Sequence, residues 1–171
     1  RKPLQFYLEA YLIVPPSDHS IADPKPFHLL CHEALQFVNP RYSFITLGIK
    51  PTYPNTGYGY IQFEPMAVSK DVYKVKTFTE KPNLDLAKTF ISSGEFLWNA
   101  GIFIWQVKNI LTAFEKYLPE MYDVFTAEKD KFNTPAENEA LKEIYTLCTN
   151  ISIDVGIMEK ASNVYLIPSS F

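Results

Sequence analysis

Apolar positions along this chain recur with two different periods, and the switches between them mark out its elements. Y-L-I-V-P-P at 11–16 is a short apolar run stopped by prolines, which predicts a buried strand. Over 26–38, Phe27, Leu30, Cys31, Ala34, Leu35 and Val38 share one face at helical spacing, and Asn39-Pro40 ends the run. Y-S-F-I-T-L-G-I at 42–49 predicts a second buried strand, so the opening reads strand, helix, strand, as in a βαβ crossover. Residues 58–63 and 72–82 alternate apolar and polar over much of their length, the pattern of half-buried strands. Asn83 is placed to cap a short helix over 84–92, which Gly94 terminates. W-N-A-G-I-F-I-W at 98–105 predicts a strand, and 107–118 a helix with Ile110, Leu111, Phe114 and Leu118 on one face.

The sharpest local signal is T-P-A-E at 134–137, with Thr134 as N-cap, Pro135 at the first helical position and Glu137 completing a capping box. Leu141, Ile144, Tyr145 and Cys148 then form an apolar stripe. The polar stretch 128–139 reads as an exposed loop leading into that helix. Residues 152–161 predict another helix and 163–168 a final strand. Strands alternating with helices argue an α/β domain with a mixed sheet.

Composition narrows the functional classes. At 47% hydrophobic and 15% aromatic, the 171 residues can build a packed core and are not a disordered chain. The formal charge is −3, with no basic excess or polybasic run, so neither a nucleic acid nor an anionic membrane is an expected partner. Cys31 and Cys148 lie far apart in apolar surroundings and read as small hydrophobes, not as a disulfide or a zinc site. No apolar run approaches the roughly 18 residues of a membrane span, and no signal-peptide pattern opens the chain. The expectation is a cytoplasmic protein.

Several polar residues sit where chemistry could occur, each with a plainer reading beside it. Asp18 follows a strand, where open α/β sheets place their ligands, and its carboxylate could hold Mg²⁺ or merely cap a turn. Glu80-Lys81-Pro82 ends another strand; the pair could bind sugar hydroxyls and phosphate, or be a surface ion pair. Asn99 interrupts an apolar strand and needs partners, either backbone groups or a ligand. Asp154 and Lys160 fit helix-terminal charges. In N-T-G-Y-G-Y-I (55–61), Gly57 and Gly59 permit either a hairpin or close approach of a ligand to the main chain.

Taken in order, P-S-D-H, P-N-T-G-Y-G-Y-I, F-T-E-K-P, W-N-A-G-I-F and S-I-D-V-G-I-M-E-K resemble the sugar-phosphate nucleotidylyltransferases, and more narrowly the bacterial mannose-1-phosphate guanylyltransferases. The resemblance runs from about Leu12 to the last residue. It implies a Rossmann-like nucleotide-diphospho-sugar transferase fold, a mixed and mostly parallel sheet flanked by helices. It also implies the reaction of GTP with mannose 1-phosphate to give GDP-mannose and pyrophosphate, with Mg²⁺ as cofactor. Carried over motif by motif, Asp18 would hold the metal and, with Lys81, act in catalysis. Gly59 would present backbone to the sugar, Glu80 and Asn99 would bind its hydroxyls, Lys81 its phosphate, and Asp154 would border the same pocket.

The chain departs from that pattern at both ends. The family's Gly-rich loop, which holds the nucleotide and reads its base, has no counterpart, since Gly48 is the first glycine; nor does a second metal-binding aspartate follow P-S-S-F. The expectation is therefore one catalytic domain over 1–171, incomplete at both ends, with a homo-oligomer left open. Two rivals stand beside it: a glucose-1-phosphate thymidylyl- or uridylyltransferase, and a non-catalytic regulatory paralogue.

Overall fold

The computed structural model describes residues 7–39 and 41–169. Six strands form one mixed sheet in the order β1-β5-β2-β6-β4-β3, and β3 also pairs with the start of β5, so the pairing runs back on itself. The strands are β1 (Tyr11–Val14), β2 (Phe44–Ile49), β3 (Tyr60–Ser69), β4 (Val72–Thr79), β5 (Phe96–Gln106) and β6 (Val164–Ser169). The helices are α1 (Pro24–Val38), α2 (Leu84–Ser93), α3 (Val107–Tyr117), α4 (Pro119–Ala127) and α5 (Glu137–Leu147), and a single π turn spans Asp154–Met158.

Side-chain alternation on the central strands builds two cores. Ile45 and Leu47 of β2, Ile102 and Ile104 of β5 and Ile167 of β6 face α1, which buries Ala34, Phe37 and Val38 against them. Their sequence neighbours Phe44, Phe103, Trp105, Val164 and Leu166 point the other way, onto Ile110 and Ala113 of α3 and Ile157 and Met158 of the π turn. On the α1 side of the sheet, α2 packs Ala87 and Phe90 on Tyr60 and Trp98, and Ile49 touches both clusters. No helix among the described residues is long and apolar enough to cross a membrane.

The expected mostly parallel sheet is corrected: among the described residues only β2 and β6 pair in parallel. The cause is β5, which lies antiparallel between β1 and β2, so the strand-helix-strand opening crosses over an intervening strand. β1 itself is not buried. Among the described residues it pairs only with β5, and Leu12, Ile13 and Val14 are each about two-fifths exposed (41%, 38% and 41%) because α1 covers β2 and β5 instead.

Other differences are local. β3 continues past Pro65 to Ser69; the register breaks between Phe63 and Ala67, which is how a strand accommodates a proline. Pro119 starts an unexpected helix, α4, as its first residue. The capping box at 134–137 does not form as expected. Helix α5 starts at Glu137, the Thr134 hydroxyl accepts from Ala136 N, and the Glu137 carboxylate reaches back to Asn133 N, a residue held at φ 62°. The stripe on α5 is also turned: Ala140 and Ile144 are buried, while Tyr145 is 68% exposed. The helix expected over 152–161 shrinks to the π turn, and 128–139 contains a short 3₁₀ turn, Lys129–Lys131.

Candidate functional site

The site is built where β2, β3 and β5 meet the π turn. In β5, a register shift against β2 leaves extra residues between Asn99, opposite Gly48, and Phe103, opposite Thr46. Gly101 sits in that bulge at φ 67°, a left-handed conformation that glycine adopts without strain. Pro16, just after β1, packs over it: a Cβ on Gly101 would stand 3.1 Å from Pro16 Cγ. The bulge lets the chain fold back on the Asn99 side chain, so that Gly101 N donates to Asn99 Oδ1 at 3.0 Å. The fully buried Thr46 donates its hydroxyl to the same oxygen at 2.8 Å. On the other side, Asn99 Nδ2 donates to Asp154 Oδ1 at 2.9 Å.

Gly59 is buried directly beside this group. Its carbonyl accepts from Asn99 N at 2.8 Å. A Cβ at Gly59 would meet Glu80 Oε2 at 2.6 Å and Asn99 Cβ at 3.3 Å, so any side chain there would displace the Glu80 carboxylate. Gly57 serves the turn instead. Its N–H donates to Asn55 Oδ1 at 2.7 Å, closing the bend that leads into β3. Gly57 thus fits the turn reading of N-T-G-Y-G-Y-I, and the space over Gly59 is met by the Glu80 carboxylate.

Glu80 and Lys81 follow β4. Glu80 is mostly covered, its side chain 19% exposed, and pairs with Lys81 Nζ at 3.1 Å; the Lys81 side chain is 64% exposed. Lys81 takes φ 44°, which turns the chain sharply toward buried Pro82 and α2. Glu159, just beyond the π turn, accepts from Glu80 N at 3.2 Å and ties this corner to the segment carrying Asp154. Burial pushes the Asp154 carboxyl above the usual carboxylate range, and the Glu80 carboxylate pushes it the same way. A backbone hydrogen bond, Asn99 and Lys81 pull it down, but the net direction is up.

Of the residues expected from sequence, Gly59, Glu80, Lys81, Asn99 and Asp154 come together. Asp18 is exposed in the turn two residues beyond Pro16, at the same end of β1 but outside the hydrogen-bonded group. No group of three or more His, Cys, Asp or Glu residues able to hold a metal occurs among the described residues. Lys160 is exposed beyond the π turn. Thr46 and Glu159 were not expected. Thr46 did leave a signal, a hydroxyl inside the apolar strand F-I-T-L-G-I, because a polar group buried at such a position needs a partner. Glu159 left none.

Trp98 follows the alternation of β5 and lies on the opposite face from Asn99, where its ring meets Tyr53 and Tyr58 edge-on at centroid distances of 5.2 and 5.1 Å and packs in the α2 cluster. On the Asn99 face, a carboxylate, an ammonium and an amide can bind a polyhydroxylated ring that carries an anionic group.

Comparison with known proteins now bears on this arrangement. The sequence model of the nucleotidyl transferase family matches residues 4–140. The chain belongs to that family. It is 33% identical over 168 residues to a mannose-1-phosphate guanylyltransferase of Sinorhizobium fredii, covering 98% of this chain and 32% of that protein. A mannose-1-phosphate guanylyltransferase of Escherichia coli is 34% identical over 156 residues, covering 89% and 33%. The chain therefore spans about a third of the length of these relatives. Among solved structures, a protein of Thermus thermophilus titled mannose-1-phosphate geranyltransferase superimposes with a TM-score of 0.81 at 29% identity, covering 94% of this chain and 45% of that one. A structure from Helicobacter pylori titled mannose-6-phosphate isomerase gives 0.78 at 26% identity, covering 94% and 62%.

Proposed function

We propose that this chain carries the sugar-phosphate side of a mannose-1-phosphate guanylyltransferase, which moves a guanylyl group from GTP to mannose 1-phosphate and releases pyrophosphate. The observation that carries the reading is the convergence of Gly59, Glu80, Asn99 and Asp154, residues far apart in the chain, around one small volume with Lys81 at its rim. The naming of the relatives that match nearly the whole chain supports the same substrate pair.

In this reading a phosphate oxygen of mannose 1-phosphate attacks the α-phosphorus of GTP. The new O–P bond forms as the bond from the α-phosphorus to the departing pyrophosphate oxygen breaks. Such a transfer asks the protein mainly for position and charge neutralisation. Glu80 accepts from sugar hydroxyls and Asn99 donates to them. Gly59 lets the ring approach the main chain, and Lys81, whose ammonium is exposed at this corner, holds the attacking phosphate. Asp18 would hold Mg²⁺. A lone exposed carboxylate fits that ion, which keeps most of its waters and takes one or two carboxylates together with substrate phosphates. When bound, the ion would neutralise phosphate charge.

The test is a panel of nucleoside triphosphates against hexose 1-phosphates, run on the intact protein that contains this chain. GTP with mannose 1-phosphate is expected to be turned over fastest. Preference for glucose 1-phosphate with dTTP or UTP would reassign the substrates within the family. No turnover with any pair, together with no sugar-phosphate binding, would overturn the assignment as an enzyme.

A further inference from the structure

We infer that Thr46 is a positioning residue: together with Gly101 N it occupies both acceptor sites of the Asn99 side-chain oxygen, so that Asn99 faces a ligand as a donor only. This inference rests on reading the site as a sugar-phosphate pocket, and it adds a residue that the motifs there did not point to.

A carboxamide has a fixed hydrogen-bonding capacity: one oxygen with two lone pairs and one nitrogen with two protons. A backbone N–H can only donate, so the Asn99 atom facing Gly101 N at 3.0 Å is the oxygen. The Thr46 hydroxyl, fully buried, donates to that oxygen at 2.8 Å and takes its second lone pair. The nitrogen spends one proton on Asp154 Oδ1 at 2.9 Å. One Nδ2 proton is then left over. Asn99 is only partly buried, so that proton is available to a ligand.

The consequence is a constraint on what binds. A hydroxyl meeting Asn99 must turn a lone pair to it and send its own proton elsewhere. Glu80 supplies the acceptor, because its carboxylate oxygen and the Asn99 side chain both border the same point above Gly59, at 2.6 and 3.3 Å. A group with acceptor and donor on one atom, such as an alcohol, satisfies both at once. Without Thr46 the carboxamide loses one of the two donors that hold its oxygen inward, and rotation can present oxygen to the ligand instead.

The experiment uses the intact protein with Thr46→Val, which keeps the shape and removes the hydroxyl, Thr46→Ser, which restores it, and Asn99→Asp, which keeps the inward acceptor and removes the donor. Two signals are followed: the Asn99 side-chain NH₂ resonances by ¹⁵N NMR without ligand, and the KM values for mannose 1-phosphate and GTP. In Thr46→Val the Asn99 resonances are expected to shift and exchange faster, and KM for mannose 1-phosphate to rise about tenfold, the order expected for an unmade hydrogen bond, with KM for GTP unchanged. Thr46→Ser should return both signals toward wild type, and Asn99→Asp should raise the sugar-phosphate KM at least as much. Unmoved Asn99 resonances in Thr46→Val overturn the positioning role, as does an equal rise in both KM values. If Thr46→Val does not fold, an Asn99→Asp protein with an unchanged sugar-phosphate KM overturns the donor-only role. A wild type that binds no sugar phosphate but whose Asn99 resonances respond to Thr46→Val would sink the functional reading and leave the positioning role standing.

Discussion

At the level of single residues, Lys81 is where a phosphate-binding charge and a plain surface charge make different predictions. Lys81 pairs with Glu80 at the surface, and an ion pair this exposed is worth under about 1 kcal/mol. Lys81→Met keeps most of the apolar stem and loses the charge. If Lys81 holds the sugar phosphate, affinity for mannose 1-phosphate should fall at least about tenfold, roughly the worth of one charge-assisted hydrogen bond, with GTP affinity and the melting curve nearly unchanged. Calorimetric titration of each ligand checks this; equal weakening of both with a lowered melting point would mark Lys81 as structural. Asp154 makes a pH prediction. Its carboxyl holds a proton in the folded protein to higher pH than in the unfolded chain. Below the ordinary carboxylate range both states are protonated and the site exacts no penalty. As pH climbs from there through the raised value, the unfolded chain ionises first and stability is lost. Asp154→Asn preserves an acceptor for Asn99 Nδ2 and removes that loss. Melting temperatures taken across this window should therefore drop less in the variant than in the wild type; parallel curves would show that Asp154 ionises without penalty.

Among the elements, α2 shows how local chemistry can specify a helix almost alone. Asn83 Oδ1 accepts from Leu86 N at 2.9 Å, and the helix ends on Gly94 at φ 71°, with Gly94 N donating to Ile91 O at 3.1 Å. A Cβ on Gly94 would meet nothing within 4 Å, so the effect of Gly94→Ala is purely conformational. It should lower stability by about 1–2 kcal/mol, the ordinary penalty of a left-handed non-glycine residue, with no loss of the ligand site. A shifted urea midpoint with an unchanged slope would report that. The opposite case is the segment after Ser152. Its apolar and acidic residues suggest a full helix, yet only one π turn forms, because Gly156, Ile157 and Met158 are buried against α3 and the residue that follows it. A Cβ on Gly156 would already touch Leu118 at 3.0 Å. Packing there sets the length of the turn, and the turn sets where Asp154 and Glu159 reach the site.

For the molecule as a whole, β5 is the spine. It pairs with β1, β2 and β3, carries Asn99 in its bulge, and alternates its side chains between both cores. Opening it means opening both cores together, so its central amides should be the last to exchange with solvent. The far end of β3, from Glu64 to Ser69, is exposed and irregularly paired with β4, and its amides should exchange early. Hydrogen exchange read by mass spectrometry is expected to order the segments with residues 102–105 and 44–47 slowest, β1 intermediate and 64–69 fastest. Exchange of 102–105 as fast as the β3 end would contradict the role given to β5.

Elements whose signals are local were legible in the amino-acid sequence. Helix α1 begins within two residues of its expected start, α2 carries both its expected caps, and β2, β5 and β6 fall on their apolar runs. The five residues that meet at the site were legible too, because their motifs resemble a family in which those types recur in that order. Packing in three dimensions settled what no run of neighbours encodes. Which strand lies beside which is set by long-range pairing, so the antiparallel insertion of β5 and the exposure of β1 were not readable in an apolar run that looks alike in a buried or an edge strand. The capping box at 134–137 failed because the chain turns through Asn133 at positive φ, and the competing contact to Asn133 N captured Glu137. The hydrogen bond from Thr46 to Asn99 spans 53 positions. It exists because a bulge at Gly101 brings Asn99 within reach of a hydroxyl on the neighbouring strand, and register across a sheet is a property of the packed molecule, not of either segment.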